Sequence, residues 1–185
     1  MKTADLTREI ELAVDAVREP HLKRMMTLGV SRSTVARLGA VQPPFGVMNC
    51  EDIGGGIFQT EGDTPYIAQP VYEDGILIDI VAWRTTEPRR WLCRTGSAWA
   101  INPDIVVENS WGNEPLTIDA TPLDWLRNGA VGLCILDWDA PEIRQLLRTP
   151  SIVTDKNIVN QLRSTLLKPP YCPDIRTRDA QKNAA

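Results

Sequence analysis

Histidine is nearly absent: His21 is the only one in 185 residues. It lies in a basic stretch, His21-Leu22-Lys23-Arg24, remote from any obvious nucleophile. A Ser-His-Asp or Cys-His arrangement would need that imidazole as its base, so such chemistry has no support. Cysteine is scarce too. Cys50, Cys93, Cys134 and Cys172 are each roughly forty residues apart with no C-x-x-C pair, which argues against a finger-type zinc site. Cys93 and Cys134 sit inside apolar runs and read as small buried hydrophobes. No apolar run approaches the ~20 residues that span a bilayer. The first residues, Met1 to Leu12, carry acids where a secretion signal has its apolar core. A cytoplasmic setting with no membrane partner is therefore the expectation. Gly54-Gly55-Gly56 follows no strand that the sequence announces, so it lacks the form of a phosphate-binding loop.

Charge is present in ordinary amount but unevenly placed. Residues 1–40 carry a net +2, residues 41–140 a net −10 and residues 141–185 a net +4. An acidic middle between mildly basic ends is not the distribution of a protein that coats nucleic acid. It leaves room for a small basic contact surface, or for a protein partner docked on the acidic middle.

Periodicity then divides the chain. Residues 1–40 read as three short helices, broken at Pro20 and Gly29, with Ser31 as the cap of the third. Gln42-Pro43-Pro44 reads as a linker. The centre is an antiparallel meander: a strand over 66–72, a tight turn at Asp74-Gly75, the strand 76–84, a return over 90–94 and a last piece over 98–101. In the strand 76–84, alternation puts Ile78, Ile80 and Ala82 on the main core. Trp83 then covers the opposite face, and Asp79 is exposed or paired with Arg94. Short strands over 116–119, 131–136 and 151–154 alternate with helices capped by Thr121, Asp139 and Asp155. The expected fold is α+β: a helical segment over 1–40, an α+β domain over 45–168, and a polar, disordered tail over 169–185.

Residues 21–38 resemble the helix-turn-helix of bacterial and phage transcription regulators. Gly29 stands in the turn, and Val35 and Leu38 follow it six and nine positions later. The resemblance implies DNA as a partner, with Ser31, Arg32, Ser33 and Arg37 on the exposed side of the third helix to meet phosphates and base edges.

Asp137-Trp138-Asp139, where an apolar strand gives way to a helix, resembles the D-x-D of topoisomerase-primase domains. That likeness implies Mg²⁺ held by Asp137 and Asp139. Glu108, read as following a strand over Ile105-Val106-Val107, would stand as the third carboxylate, although Asn109 occupies the place of the glycine expected beside it.

Arg84, Arg89, Arg90 and Arg94 cluster around one hairpin with Trp83, Trp91 and, nearby, Trp99. Such a set can make a stacking surface for single-stranded nucleic acid. Residues 75–83 and 91–96, with a second block at 121–127 followed by Gly129 and Gly132, are similar to uncharacterised small proteins of alphaproteobacterial prophage-like regions. Three functions remain open from the sequence. The first is a non-enzymatic accessory protein that touches DNA through its N-terminal segment and needs no cofactor. The second is a Mg²⁺-dependent enzyme acting on nucleotides or nucleic acid. The third is an acidic protein-interaction module.

Overall fold

The computed structural model describes residues 5–110, 112 and 114–167. Cys172 and the tail expected over 169–185 lie outside the described residues. The fold is mixed α+β, with helices first and strands in the centre, as the periodicity implies. Two sheets organise it. One is a closed five-stranded barrel and the other a four-stranded sheet.

The barrel comprises β1 (Gly46–Gly54), β2 (Ile57–Thr60), β3 (Thr64–Glu73), β4 (Ile76–Arg84) and β5 (Glu87–Cys93). Its order around the ring is β1-β2-β5-β4-β3. The meander β3-β4-β5 is the expected one, turned at Asp74-Gly75 with both φ values positive. β1 and β2 correct the sequence reading. They form a hairpin whose turn is Gly54-Gly55-Gly56, with φ of +88°, +64° and +77°. Three successive left-handed residues are practical only for glycine. This glycine run therefore follows a nine-residue strand and serves as a turn. β1 also pairs antiparallel with β3, and Ile57 of β2 meets Cys93 of β5 in parallel to close the ring.

The helical segment shares its cores with the strands. α1 (Leu6–Asp15), capped by the Asp5 side chain, lies across the barrel at Gly46. A Cβ on Gly46 would come within 2.6 Å of the Ala13 backbone, so only glycine admits this approach. Ile10 and Ala13 join Cys50, Phe58, Ala68, Ile80, Ala82 and Leu92 in the barrel core. A bidentate ion pair from Arg94 to Glu9, at 2.8 and 3.0 Å, clamps the same helix. α2 (Glu19–Thr27) and α3 (Arg32–Ala36), which runs on into a 3-10 turn over Arg37–Gly39, flank the opposite side. There Met25 and Val30 pack with Phe45, Val81, Trp83, Trp125 and Leu126.

The second sheet runs β6 (Ala100–Ile101), β8 (Leu133–Ile135), β7 (Leu116–Asp119), β9 (Ile152–Thr154). β7 is parallel to both β8 and β9, while β6 is antiparallel to β8. α5 (Pro122–Arg127) joins β7 to β8 and packs, with Cys134, on the face turned towards the barrel. A 3-10 segment over Pro141–Arg148 joins β8 to β9 on the other face. There Ile143 and Leu146 meet Leu116, Ile118, Leu133 and Ile135, together with Leu162 of α6 (Val159–Leu167).

Three further expectations are corrected. Ile105-Val106-Val107 is not a strand but the start of α4 (Ile105–Ser110), because Asn102, Pro103 and Asp104 turn the chain and offer carbonyls to the N–H groups of residues 105–108. Burial of Val106 there overrides the strand preference of branched residues. Asp139 does not cap an α-helix; the segment after it is 3-10, with Ala140 at its cap. Asp155 opens a turn rather than α6 itself, accepting the Asn157 N–H on its side chain at 2.7 Å.

The faces of β4 are also not as alternation suggests. Opposite Val71-Tyr72, the strand carries one extra residue, a bulge at Ile78. Leu77 consequently joins Ile80 and Ala82 on the barrel core, while Ile78 moves to the side of Val81 and Trp83. Trp83 does not merely edge that side: it is fully buried, and its Nε1–H donates to Gln69 Oε1. Gln69 in turn donates to the Pro122 carbonyl at 3.3 Å, which ties the barrel to α5. Asp79 is 0% exposed. Its carboxylate accepts five backbone N–H bonds, from Ile80, Arg94, Thr95, Ser97 and Ala98, at 2.8 to 3.3 Å. Arg94 thus serves Asp79 through its backbone, because its guanidinium is spent on Glu9.

Candidate functional site

The chain leaves β7 for α5 on one face of the second sheet, and returns to β9, on β7's other side, from the opposite face. Helical segments that part in this way leave a crevice at the carboxyl ends of the strands between them, the usual ligand position in parallel sheets. Here β7 ends in Asp119 and β9 in Thr154. A crevice of about 340 Å³ opens at that point, lined by Asp119, Asp124, Arg127, Asn128, Thr154 and Asp155 among others.

Asp119 is the unusual group in it. The residue is 4% exposed. Its Oδ1 accepts from Asn128 Nδ2, and its Oδ2 is buried with no hydrogen-bond partner. Burial raises its pKa, opposed by the Asn128 hydrogen bond and assisted by the charge of Asp124. Gly132 makes room for it, since a Cβ there would lie 2.9 Å from Oδ2. Several donors around the crevice are engaged inside the protein. Arg127 gives Nη1–H to Asp124 Oδ1 at 2.9 Å and Nε–H to the Leu28 carbonyl at 2.6 Å. Thr154 Oγ1–H donates to the Ile118 carbonyl at 2.8 Å, and Thr121 Oγ1–H to Asp124 Oδ2 at 2.7 Å. What remains on offer is acceptor capacity from the carboxylates, beside the outer N–H groups of Arg127.

The residues singled out from the sequence lie elsewhere. Of the four DNA candidates, Ser31 caps α3 by accepting the Thr34 N–H, and its hydroxyl also bonds that of Ser33. Arg37 lies past the five-residue helix and donates to the Gly129 carbonyl at 2.8 Å. Among the described residues Arg32 is the one of the four that is exposed without a partner. Thr34 is buried against α5, which docks this segment on the second sheet.

The three carboxylates are not assembled. Asp137 Oδ1 accepts the Asp139 N–H at 2.9 Å, closing a turn after β8, and Glu108 belongs to a helix. Among the described residues no group of three His, Cys, Asp or Glu could hold a metal ion. The hairpin surface is likewise dispersed. Trp83 and Trp99 are buried in separate cores, Arg90 pairs with Asp52, Arg84 with Glu87 and Arg94 with Glu9.

Reactive side chains are not exposed to solvent chemistry either. Burial pushes the Cys50 and Cys93 thiols up to about 12. It also raises the Cys134 thiol well above its ordinary value, with the charges of Asp119 and Asp124 adding to the effect. These thiols are not nucleophiles near neutral pH. His21 is a local capping partner, its Nδ1 accepting the Arg18 N–H at 3.1 Å.

The signal for Asp119 was available in the sequence, since it is a carboxylate ending a short strand just before a capped helix, as Asp137 was thought to be. Its pairing with Cys134 of β8 and its contacts with Asn128 and Gly132 make Asp119 the buried one. No family model, no curated protein and no solved structure matches the chain.

Proposed function

We propose that the protein works by binding, as a non-enzymatic accessory protein, and that a small polar group of its ligand or partner enters the crevice at the ends of β7 and β9. The observation that carries this reading is that crevice itself, at a strand switch point, with Asp119, Asp124 and Asp155 in its lining. A carboxylate taken out of water with one donor costs stability, and such costs gather at sites that act on something.

Binding is favoured over catalysis for a chemical reason. Transition states of hydrolysis or group transfer develop negative charge that needs donors aimed at it. Around this crevice, Arg127, Asn128 and Thr154 already give hydrogen bonds inside the protein. Among the described residues, burial holds the thiols of Cys50, Cys93 and Cys134 above their ordinary range, which disfavours them as nucleophiles. An acceptor-rich wall in the acidic middle of the chain suits the interaction role better than the nucleic-acid role.

The test is an amide-resolved NMR titration of the full chain with four probe classes: an alkylammonium, a guanidinium, a neutral amide and inorganic phosphate. Saturable shifts centred on residues 117–120, 127–128 and 153–155 with at least one class are the expected result. Absence of such shifts with every class overturns the reading.

A further inference from the structure

We propose that a second cavity, where the helical segment, the barrel and the four-stranded sheet meet, binds a free amino acid with an apolar side chain. It measures about 170 Å³, and its lining includes Arg37, Pro43, Tyr72, Asp104, Trp125 and Ala130. It shares no lining residue with the crevice, so it stands or falls by itself. Its walls are within reach of solvent. Arg37 is exposed, Pro43, Tyr72 and Asp104 are half-buried, and Trp125 and Ala130 keep 7% and 6% of their surface.

Two charges set what the cavity can hold. Arg37 donates Nη1–H to the Gly129 carbonyl at 2.8 Å, which anchors the guanidinium and leaves Nε–H and the Nη2 hydrogens unengaged. Those groups form a flat fork that takes a carboxylate by two parallel hydrogen bonds. Asp104 Oδ2 accepts the Asp74 N–H at 2.9 Å, and Oδ1 receives no donor among the described residues. Neither side chain belongs to an ion pair among those residues, so the two charges do not close on each other.

A guanidinium and a carboxylate in one cavity, each fixed by its own backbone partner, suit a ligand that carries both signs. An anion alone meets attraction from Arg37 and repulsion from Asp104, and a cation alone meets the reverse. In an α-amino acid the carboxylate and the ammonium sit on one carbon, which also bears the side chain. The carboxylate takes the Arg37 fork, an ammonium N–H goes to Asp104 Oδ1, and the side chain lies along Pro43, Tyr72 and Trp125. Size agrees with this. A cavity of about 150 Å³ admits a benzene ring, so this one has room for a side chain of that order and none for a nucleotide. The lining is strained as well. Asn102 and Ala130, both in it, have φ of +60° and +57°. Left-handed backbone is costly for alanine, and such strain collects at ligand sites.

The experiment is an NMR titration of the full chain at neutral pH and fixed ionic strength with leucine, with 4-methylpentanoate and isoamylamine, which each keep one of its charges, and with glycine, which lacks its side chain. Leucine should bind most tightly, with shifts centred on residues 42–44, 70–72, 101–104 and 130. Loss of either charge should weaken binding about tenfold, the scale of a hydrogen bond to a charged group. Glycine should bind several-fold more weakly than leucine. Arg37→Gln should bring leucine down to the level of isoamylamine, and Asp104→Asn, which keeps an oxygen for the Asp74 N–H, should bring it down to that of 4-methylpentanoate.

The four ligands on the wild type decide the matter even where a variant folds poorly. Equal binding of 4-methylpentanoate and leucine would make the cavity an anion site and overturn the proposal, and equal binding of isoamylamine would overturn it as a cation site. Glycine binding as tightly as leucine would remove the role of the apolar wall and overturn the ligand class. Absence of saturable shifts at these residues with leucine at about 10 mM, tenfold above a Kd of about 1 mM, would overturn the site itself. None of these outcomes bears on the crevice.

Discussion

Two aspartates are sunk into this molecule, one in each sheet, and they are treated in opposite ways. In the barrel, Asp79 is completely enclosed and receives five N–H groups from its own neighbour and from the loop after β5. In the four-stranded sheet, Asp119 is almost as enclosed but receives one donor, and one of its oxygens has none. A carboxylate saturated by backbone donors is part of the scaffold, because those N–H groups would otherwise be left unmet. One left short of donors is a standing cost to the fold. The barrel half is thus built for closure, and the crevice half keeps an interaction unspent.

The largest effect expected from breaking this comparison is at Asp79. Asp79→Asn puts an amide NH₂ where donors already point and should cost about 3–5 kcal/mol, since several N–H groups lose their acceptor at once. Urea unfolding followed by fluorescence and circular dichroism measures it. A loss under 1 kcal/mol would mean that the loop over residues 94–98 finds other acceptors and that Asp79 is no keystone.

Ile80→Ala comes next. The side chain is fully buried among Phe58, Ala68, Ala82 and Leu92 inside the barrel. Its truncation should cost about 2–5 kcal/mol through lost contacts and a residual cavity. An unchanged urea midpoint would show that this interior is not packed as described. A smaller loss is expected for Glu9→Gln, which weakens the bidentate clamp of α1 on Arg94. Both side chains are less than a fifth exposed, so the change should cost about 1–3 kcal/mol. Hydrogen exchange should report it first in residues 6–15, while residues 116–154 keep their protection. Equal loss of protection in both regions would show that the two sheets do not behave as separate cooperative units.

The contrast between the two halves was only partly legible in the sequence. The hairpin at Asp74-Gly75 could be read because turn chemistry is local, and so could the capping of α3 by Ser31 and of α5 by Thr121. β1 was missed because its second half, Glu51 to Gly54, is exposed and polar, so it carries no alternation of its own. Its partners are β2 and a strand beyond β2. Residues 105–107 were read as a strand from their branched side chains, which a turn at Asn102 and burial of Val106 overrule. Alternation places Asp79 correctly beside Val81 and Trp83, but it cannot show that this side is a core too or that the loop over residues 94–98 closes on the carboxylate. Asp137 and Asp119 looked alike as strand-end acids. Asp119 is enclosed because it pairs with Cys134 of β8 and packs against Asn128 and Gly132, whereas Asp137 stands in a turn.

The smallest expected change in stability, and the sharpest probe of the comparison, is Asp119→Asn. The substitution keeps an oxygen for Asn128 and removes a charge that burial disfavours, so stability near neutral pH should move by no more than about 1 kcal/mol in either direction. Its pH dependence carries the sign. Burial raises the pKa of Asp119 above the ordinary 3.8. Between that value and the folded-state pKa, the folded protein therefore holds a proton that the unfolded chain has lost. The stabilisation from this group is complete below pH 3.8, declines as pH rises through the folded pKa, and is gone above it. Other carboxylates add their own pH dependence, so the useful quantity is the difference between wild type and Asp119→Asn. The wild type should lose stability relative to the variant as pH rises from about 4 to 7. A wild type that instead gains stability relative to the variant as pH rises would mean that Asp119 is held ionised like a salt-bridged scaffold acid, and the distinction between the two aspartates would disappear.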